Sequence, residues 1–537
     1  MHLFRFTENK KIVLLIFTLL VIAIYGQSLF GEYVYDDRGI IDHIDVLSSK
    51  HELGQVALHP YWEVENGLYR PTTLLSYSFN LIIFGVEPLS FHLINLLLYL
   101  FICYFVYLLI NRLFNNNLLA FLSGLLFLIL PIHTEVVANI TGRSELLSLF
   151  FALLAMLEAT KSKINYWLLG LWVLASIGGK ETGIAILPIL TIIFYQKNTP
   201  LSKEVFLKYF KEISAVAIGA LLYFFFRFFS LGIGSFLNIK TSLIENQLLF
   251  TDTFSRIATA LKILWMYFYK TFWPANLCSD YSYNQIETVS NWLNSPTILG
   301  LLLMLTALVL LLINLKKKNP LALGSGIFLF SFLPVSNLFF PIGTIAGERL
   351  FFFPSLGIVL VTAYLIYKIL YTRKIWLIQI IILLLLILVS IGYITTSHIR
   401  QRVWLNETNL FISGAECAPN SALSMSNLGA VYLINDDLDK AEEALKKSME
   451  IKPIYSKGIN NLGLVYFRKG DYQKAHDMYI EALSQDFPYP GAWENMVLLY
   501  LTEGKIERAK HWLRVMYGPN EQIINVVIDS FQQANKN

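Results

Sequence analysis

The sequence predicts an all-α protein in two parts, a polytopic helical membrane domain followed by a solenoid of paired helices. Three observations carry this reading. The 537 residues are 55% hydrophobic and only 15% charged, with a mean hydropathy of +0.54, too apolar for a soluble globular protein of that length. Apolar runs long enough to approach the roughly 20 residues of a bilayer crossing recur as far as Tyr393. Beyond Ile399 the chain turns polar, and a self-similarity appears at a spacing of 34 residues. The net charge of +4 comes largely from Lys and Arg in short loops, which speaks for membrane topology and against nucleic acid as a partner. The three cysteines make no disulfide framework and are expected to be structural thiols.

Eleven candidate spans follow from the apolar runs near residues 11–30, 91–111, 118–134, 144–160, 164–179, 183–196, 212–232, 295–314, 322–340, 350–371 and 375–397. The first lacks a small-residue cleavage site and is expected to stay as an anchor. Basic clusters at Lys10-Lys11, Arg112, Lys161/Lys163, Lys197–Lys211, Lys316–Lys318 and Arg373-Lys374 are expected on the cytoplasmic side. That holds if the segment Phe254–Trp273, with Arg256, Lys262 and Lys270, is an interfacial or re-entrant helix and not a twelfth span. The N-terminus is then cytoplasmic and the C-terminal domain external. The same parity gathers Asp36, Asp37, His133, Glu135, Arg143, Lys180, Glu181, Glu348 and Arg349 on the external face. Each alone reads as an interfacial anchor or half of an ion pair; together they predict one polar cavity. His92 and Asn95 are expected to form a structural hydrogen-bonded pair, and residues 42–67 a short amphipathic helix on the membrane.

In the tail, Asn427-Leu-Gly-Ala-Val-Tyr432 recurs as Asn461-Leu-Gly-Leu-Val-Tyr466, with small residues in step at Ala441, Ala475 and Ala509. This period is that of tetratricopeptide repeats. Residues 1–398 are therefore assigned to the membrane domain and 399–537 to the repeats: a half-repeat cap at 402–419 and units near 422–455, 456–489 and 490–523. Such stacks hold peptides or protein partners in a concave face, or serve only as structure.

Several blocks in order, "YDDRG", "YRPTTLLSYSFN", "EPLSFHLINLLLYL", "PIHTEVVANITGRSELLSLFFALL", "GGKETGIAILP" and "GTIAGERLFFFPSLG", followed by the repeats, resemble the transmembrane and tetratricopeptide-repeat O-mannosyltransferases, membrane glycosyltransferases of the GT-C fold. The resemblance implies a sugar donor carried on polyprenyl phosphate, used on the external or lumenal face, with mannose as the sugar its name gives. The acceptor is expected to be a protein Ser or Thr hydroxyl presented by the repeats. Transfer to a lipid or surface polysaccharide, or a non-catalytic scaffold whose repeats bind partners, are the other readings.

Sugar transfer to a hydroxyl needs a carboxylate to take the acceptor proton and cations to neutralise the departing phosphate. Asp36 and Asp37 match the acidic pair of the family's first loop, with Asp36 favoured as base; adjacency is expected to raise one of the two pKa values. Bridging a Mg2+ or Mn2+ ion is the rival role of the pair. Arg143, Lys180 and Arg349 are the candidates for the phosphate clamp. His133 either donates to the leaving phosphate or caps a helix, and Glu135, Glu181 and Glu348 support the neighbouring cations. Tyr61, Trp62 and Tyr69 either stack on the sugar or anchor the loop at the interface.

Overall fold

A single run of apolar residues that must satisfy its own backbone without water does so as a helix, and each of the eleven apolar runs contains a helix among the described residues. The computed structural model describes residues 2–48, 53–62, 67–197, 209–232, 242–372, 376–485 and 489–534, and among these no strand occurs. Besides short helical turns in the first loop at Arg38–Asp42, Ile44–Leu47 and Leu53–Leu58, the helices of the first part are, in chain order, α1 (Lys10–Tyr25), α2 (Pro71–Phe84), α3 (Pro88–Phe114), α4 (Asn117–Ile129), α5 (Thr134–Ala138), α6 (Arg143–Ala159), α7 (Tyr166–Gly179), α8 (Ile186–Lys197), α9 (Phe210–Leu231), α10 (Thr253–Phe272), α11 (Ser295–Leu315), α12 (Pro320–Phe332), α13 (Phe352–Thr372) and α14 (Trp376–Arg400).

Among the described residues, seven helices are long and apolar enough to cross a membrane, and an eighth crossing results if Asn117–Ile129 and Pro131–Ala138, bent by 57°, are taken together. The chain is thus a membrane protein by length and composition. The eleven-run map also contains α7, α8 and α12, of 14, 12 and 13 residues, each short of a full crossing. The amphipathic segment after Asp252 is a continuous 20-residue helix, α10, capped by that aspartate through the amides of Phe254 and Ser255.

The bend after α4 has a cause and a remedy. Pro131 cannot continue the hydrogen-bond ladder, and the hydroxyl of Tyr99 reaches the carbonyls of Phe127 and Leu128 at 3.0 and 2.9 Å. A second close passage follows at Gly142, where any Cβ would sit 2.2 Å from the carbonyl oxygen of Val136. Only glycine lets α5 fold back against the start of α6 there.

The chain divides into two compact units: Met1–Thr241, Leu248–Ser279 and Thr288–Leu410 form the first, and Ser242–Gln247, Asp280–Glu287 and Phe411–Asn537 the second. Helix α15 (Glu407–Cys417) begins in the first unit and crosses at Leu410 into the second, where three helix pairs follow, α16 (Ala422–Ile434) with α17 (Leu438–Ile451), α18 (Ser456–Arg468) with α19 (Tyr472–Leu483), and α20 (Gly491–Thr502) with α21 (Ile506–Tyr517), and then α22 (Glu521–Ala534). Ala441, Ala475 and Ala509 are fully buried where the paired helices approach. The turn inside each pair needs a left-handed residue, supplied by Asp436 (φ 58°), Gly470 (φ 80°) and Gly504 (φ 72°) at the same 34-residue spacing. Asp437 and Asp471 then cap α17 and α19. The final helix, α22, is not foreseen by the repeat spacing; it buries Ile524 and Ile528 against Leu513.

Two early segments also belong to this unit, which no periodicity announces. The amide of Ala422 donates to the Tyr283 carbonyl at 2.7 Å and that of Asn284 to Asn420 at 3.0 Å, while Asp280 accepts from the hydroxyls of Ser421 and Ser424, both at 2.6 Å. The expectation of three structural thiols is corrected: Cys278 and Cys417 each take part in a disulfide, whereas Cys103 is a free thiol and buried.

Candidate active site

The two adjacent acids of the first loop face different ways, because the residue before them reverses the chain. Val34 is extended, with φ −126°, whereas Tyr35 is left-handed, with φ 52°. Asp37 turns inward and is fully buried, accepting the amide of Thr141 at 2.8 Å and that of Val34 at 3.2 Å. Asp36 turns outward, its side chain 40% exposed, and accepts from the Arg349 guanidinium at 3.1 Å. Burial pushes the Asp37 carboxyl up from the usual 3.8 to about 7, against the opposing pull of the two amides. The charge of Asp36 is the smallest contribution to that rise, so desolvation dominates over the adjacency the sequence pointed to.

Arg349 is held from behind. Its backbone amide donates to Glu135 at 3.0 Å, and its Nε lies 3.6 Å from the other oxygen of the same carboxylate. Glu348 points away from it and accepts the Cys278 amide at 2.6 Å, and the Gly347 amide donates to the Tyr267 hydroxyl at 2.9 Å. Glu135 therefore supports Arg349, while Glu348 fixes the loop carrying it. The Arg349 side chain is 31% exposed, so it stays partly open to solvent beside Asp36.

A second layer of charge adjoins this pair. Glu181 accepts Nε of Arg70 at 3.0 Å and the amide of Tyr69 at 3.3 Å, and the Arg70 guanidinium lies 4.7 Å over the Tyr61 ring. Lys180 pairs with Glu145 instead of its neighbour Glu181. Burial lowers the Lys180 ammonium; Glu145 opposes that, and Arg70 and Arg349 are close enough to add to the lowering. Arg70 was not among the sequence candidates. The signal for it was the quoted "YRP", a cation immediately before a proline-initiated helix, α2, whose Thr, Ser and Asn residues break up its apolar run.

Two candidates lie elsewhere. Arg143 is fully buried, and its guanidinium donates to Asn95 at 2.9 Å, Asn80 at 3.0 Å, the Phe91 carbonyl at 2.8 Å and Ser76 at 3.3 Å, between the rings of Tyr77 and Phe91. With its donors spent on α2 and α3, it knits helices together and presents nothing to a phosphate. His133 is likewise buried, hydrogen-bonded to the hydroxyls of Tyr99 at 3.0 Å and Ser355 at 2.8 Å. Asn95 serves Arg143 and the carbonyls of Asn139 and Ile140, so the expected His92–Asn95 pair is not formed. Tyr61 and Tyr69 are buried, and Trp62 is stacked on Tyr77 at 6.2 Å, so these rings build the loop's own core.

Asp37 spends both oxygens on backbone amides, Asp36 is engaged by Arg349, and no group of three or more His, Cys, Asp and Glu side chains converges among the described residues.

The tetratricopeptide-repeat family models match residues 422–455 and 459–484. Across 83% of this chain and 63% of the relative, the sequence is 27% identical to Protein O-mannosyl-transferase F38B6.6 of Caenorhabditis elegans. It is 26% identical to Protein O-mannosyl-transferase TMTC3 of Mus musculus over 83% of this chain and 51% of the relative. The corresponding figures for human Protein O-mannosyl-transferase TMTC4 are 27%, 76% and 62%. The chain thus spans between half and two thirds of the length of these curated relatives. The resemblance first seen in the loop motifs extends over most of the sequence, making this chain a homologue of proteins named protein O-mannosyl-transferases, with tetratricopeptide repeats after its membrane helices.

Proposed function

We propose that this protein is a membrane glycosyltransferase that moves a hexose, mannose by analogy with its relatives' names, from a polyprenyl-phosphate donor to a protein Ser or Thr hydroxyl. The reaction takes place on the external or lumenal face, the side opposite the Lys and Arg clusters of the short loops. The observation that carries this reading is the Asp36 carboxylate, 40% exposed, set against Arg349 at 3.1 Å, while the charged groups Arg70, Glu181, Lys180 and Glu145 are paired with one another.

The acceptor oxygen attacks the anomeric carbon as its proton passes to the Asp36 carboxylate. The bond from that carbon to the phosphate oxygen breaks, and its electron pair leaves with the lipid phosphate. Arg349 meets the charge growing on the phosphate, which frees Asp36 for the acceptor proton. Arg70 and Lys180 stand behind it as a positive field, already neutralised in part by Glu181 and Glu145. Asp37 shapes the turn that carries Asp36. Arg143 is left out of the phosphate clamp, and no step passes through a metal ion. The repeats present the acceptor.

The test is transfer of mannose from a polyprenyl-phosphate donor to Ser/Thr peptides by the full chain in lipid nanodiscs, with mass spectrometry of external proteins from cells with and without the gene. Transfer by the wild-type chain that is lost in Asp36→Asn supports the proposal. Undiminished transfer by that variant ends it.

A further inference from the structure

The strained turn before Asp36 is held from a distant part of the chain. Tyr35 is bulky and left-handed, a backbone state that costs any residue but glycine and persists only where its surroundings impose it. Its amide donates to Glu407 at 3.2 Å, and the other oxygen of that carboxylate takes the guanidinium of Arg38. The same carboxylate thus grips the loop on both sides of the acidic pair. One residue pair away, the Glu32 amide donates to the Leu405 carbonyl at 2.9 Å, so residues 405–407 run alongside the loop. Of these contacts, the one to the Tyr35 amide bears directly on the reversal that sends Asp36 outward and Asp37 inward.

We infer that Glu407, at the start of α15, is a positioning residue for sugar transfer: its carboxylate holds the left-handed Tyr35 turn that aims Asp36 at Arg349. This rests on the transferase reading above. Glu407 bonds to Tyr35 and Arg38 and to neither Asp36 nor Arg349, so it acts through the backbone. The pair with Arg38 is secondary, since the Arg38 side chain is 65% exposed and such pairs add little.

The experiment uses the full chain in nanodiscs and reads two quantities: hydrogen–deuterium exchange of the peptide covering residues 32–38, and transfer from polyprenyl-phosphate mannose. Glu407→Ala is expected to speed exchange in that peptide and to lower kcat at least tenfold with the donor KM within about twofold. Arg38→Ala is expected to stay within threefold of wild type in both. Adding Tyr35→Gly, which makes the turn permissible without help, to Glu407→Ala is expected to restore kcat to within threefold of the Tyr35→Gly single variant. A loss in Glu407→Ala that glycine does not rescue, or unchanged exchange in residues 32–38, overturns the inference. A wild-type chain without transfer ends the transferase reading and this role with it, whereas active wild type with an indifferent Glu407→Ala ends this role alone.

Discussion

Arg143 and Arg349 are the same residue type, lie close to the same acidic loop, and do opposite work. Arg143 is enclosed by α2 and α3 with its donors taken by Asn80, Asn95, Phe91 and Ser76, and it is fully buried. Arg349 rests on Glu135 and faces outward to an exposed carboxylate. The difference is one of satisfaction: a guanidinium with every donor spent inside is a tie between helices, whereas one with donors left over at a cleft is available to a ligand.

That contrast can be broken most sharply at the base. Asp36→Asn is expected to lower transfer between about a hundred- and ten-thousand-fold while leaving thermal unfolding in detergent unchanged; a folded variant retaining more than a tenth of the activity refutes the assignment. At Arg349, exchange to Lys keeps charge but loses the planar fork, and turnover should fall about ten- to a hundredfold with little change in stability. Arg143→Met should show the reverse. Orphaning its buried acceptors is expected to cost on the order of 3–5 kcal/mol, seen as loss of folded protein before any specific kinetic change. Equal behaviour of the two variants would erase the distinction.

Asp37 sharpens the comparison through pH. Its carboxyl is raised from 3.8 to about 7, so between those values the folded state holds a proton that the unfolded state has lost. Stability is therefore expected to decline as pH rises from about 4 to about 7, and Asp37→Asn to flatten that part of the profile in denaturation curves. The smallest effect belongs to the repeat surface. Lys469→Ala, which removes exposed contacts to Asp439 and Glu442, should change stability by less than about 1 kcal/mol.

What was readable beforehand follows from what sequence encodes. Helices were legible as apolar runs, and the repeats as a period, because both are patterns along the chain. Counting crossings grouped Asp36 with Arg349 in one layer of span ends, but with α7, α8 and α12 too short to cross, their meeting comes instead from the turn at Tyr35 and the Glu135 carboxylate behind Arg349. Parity says nothing about depth within that layer, which is why Arg143 and His133 were grouped with residues of a different fate. Arg70 escaped because α2 carries Thr73, Ser76 and Asn80, whose side chains are spent inside the bundle but read as polar. The docking of residues 280–284 on Asn420–Ser424 has no periodic trace at all, being a pairing of two unlike loops.

The bend between α4 and α5 gives the hydroxyl of Tyr99 a duty out of proportion to its size. Two carbonyls released by the interruption would otherwise lie buried without a donor, and one phenolic hydroxyl serves both. Swapping that tyrosine for phenylalanine removes a single atom and no charge. It nonetheless strands both carbonyls in the interior, and the helix bearing Glu135 follows directly from that same elbow.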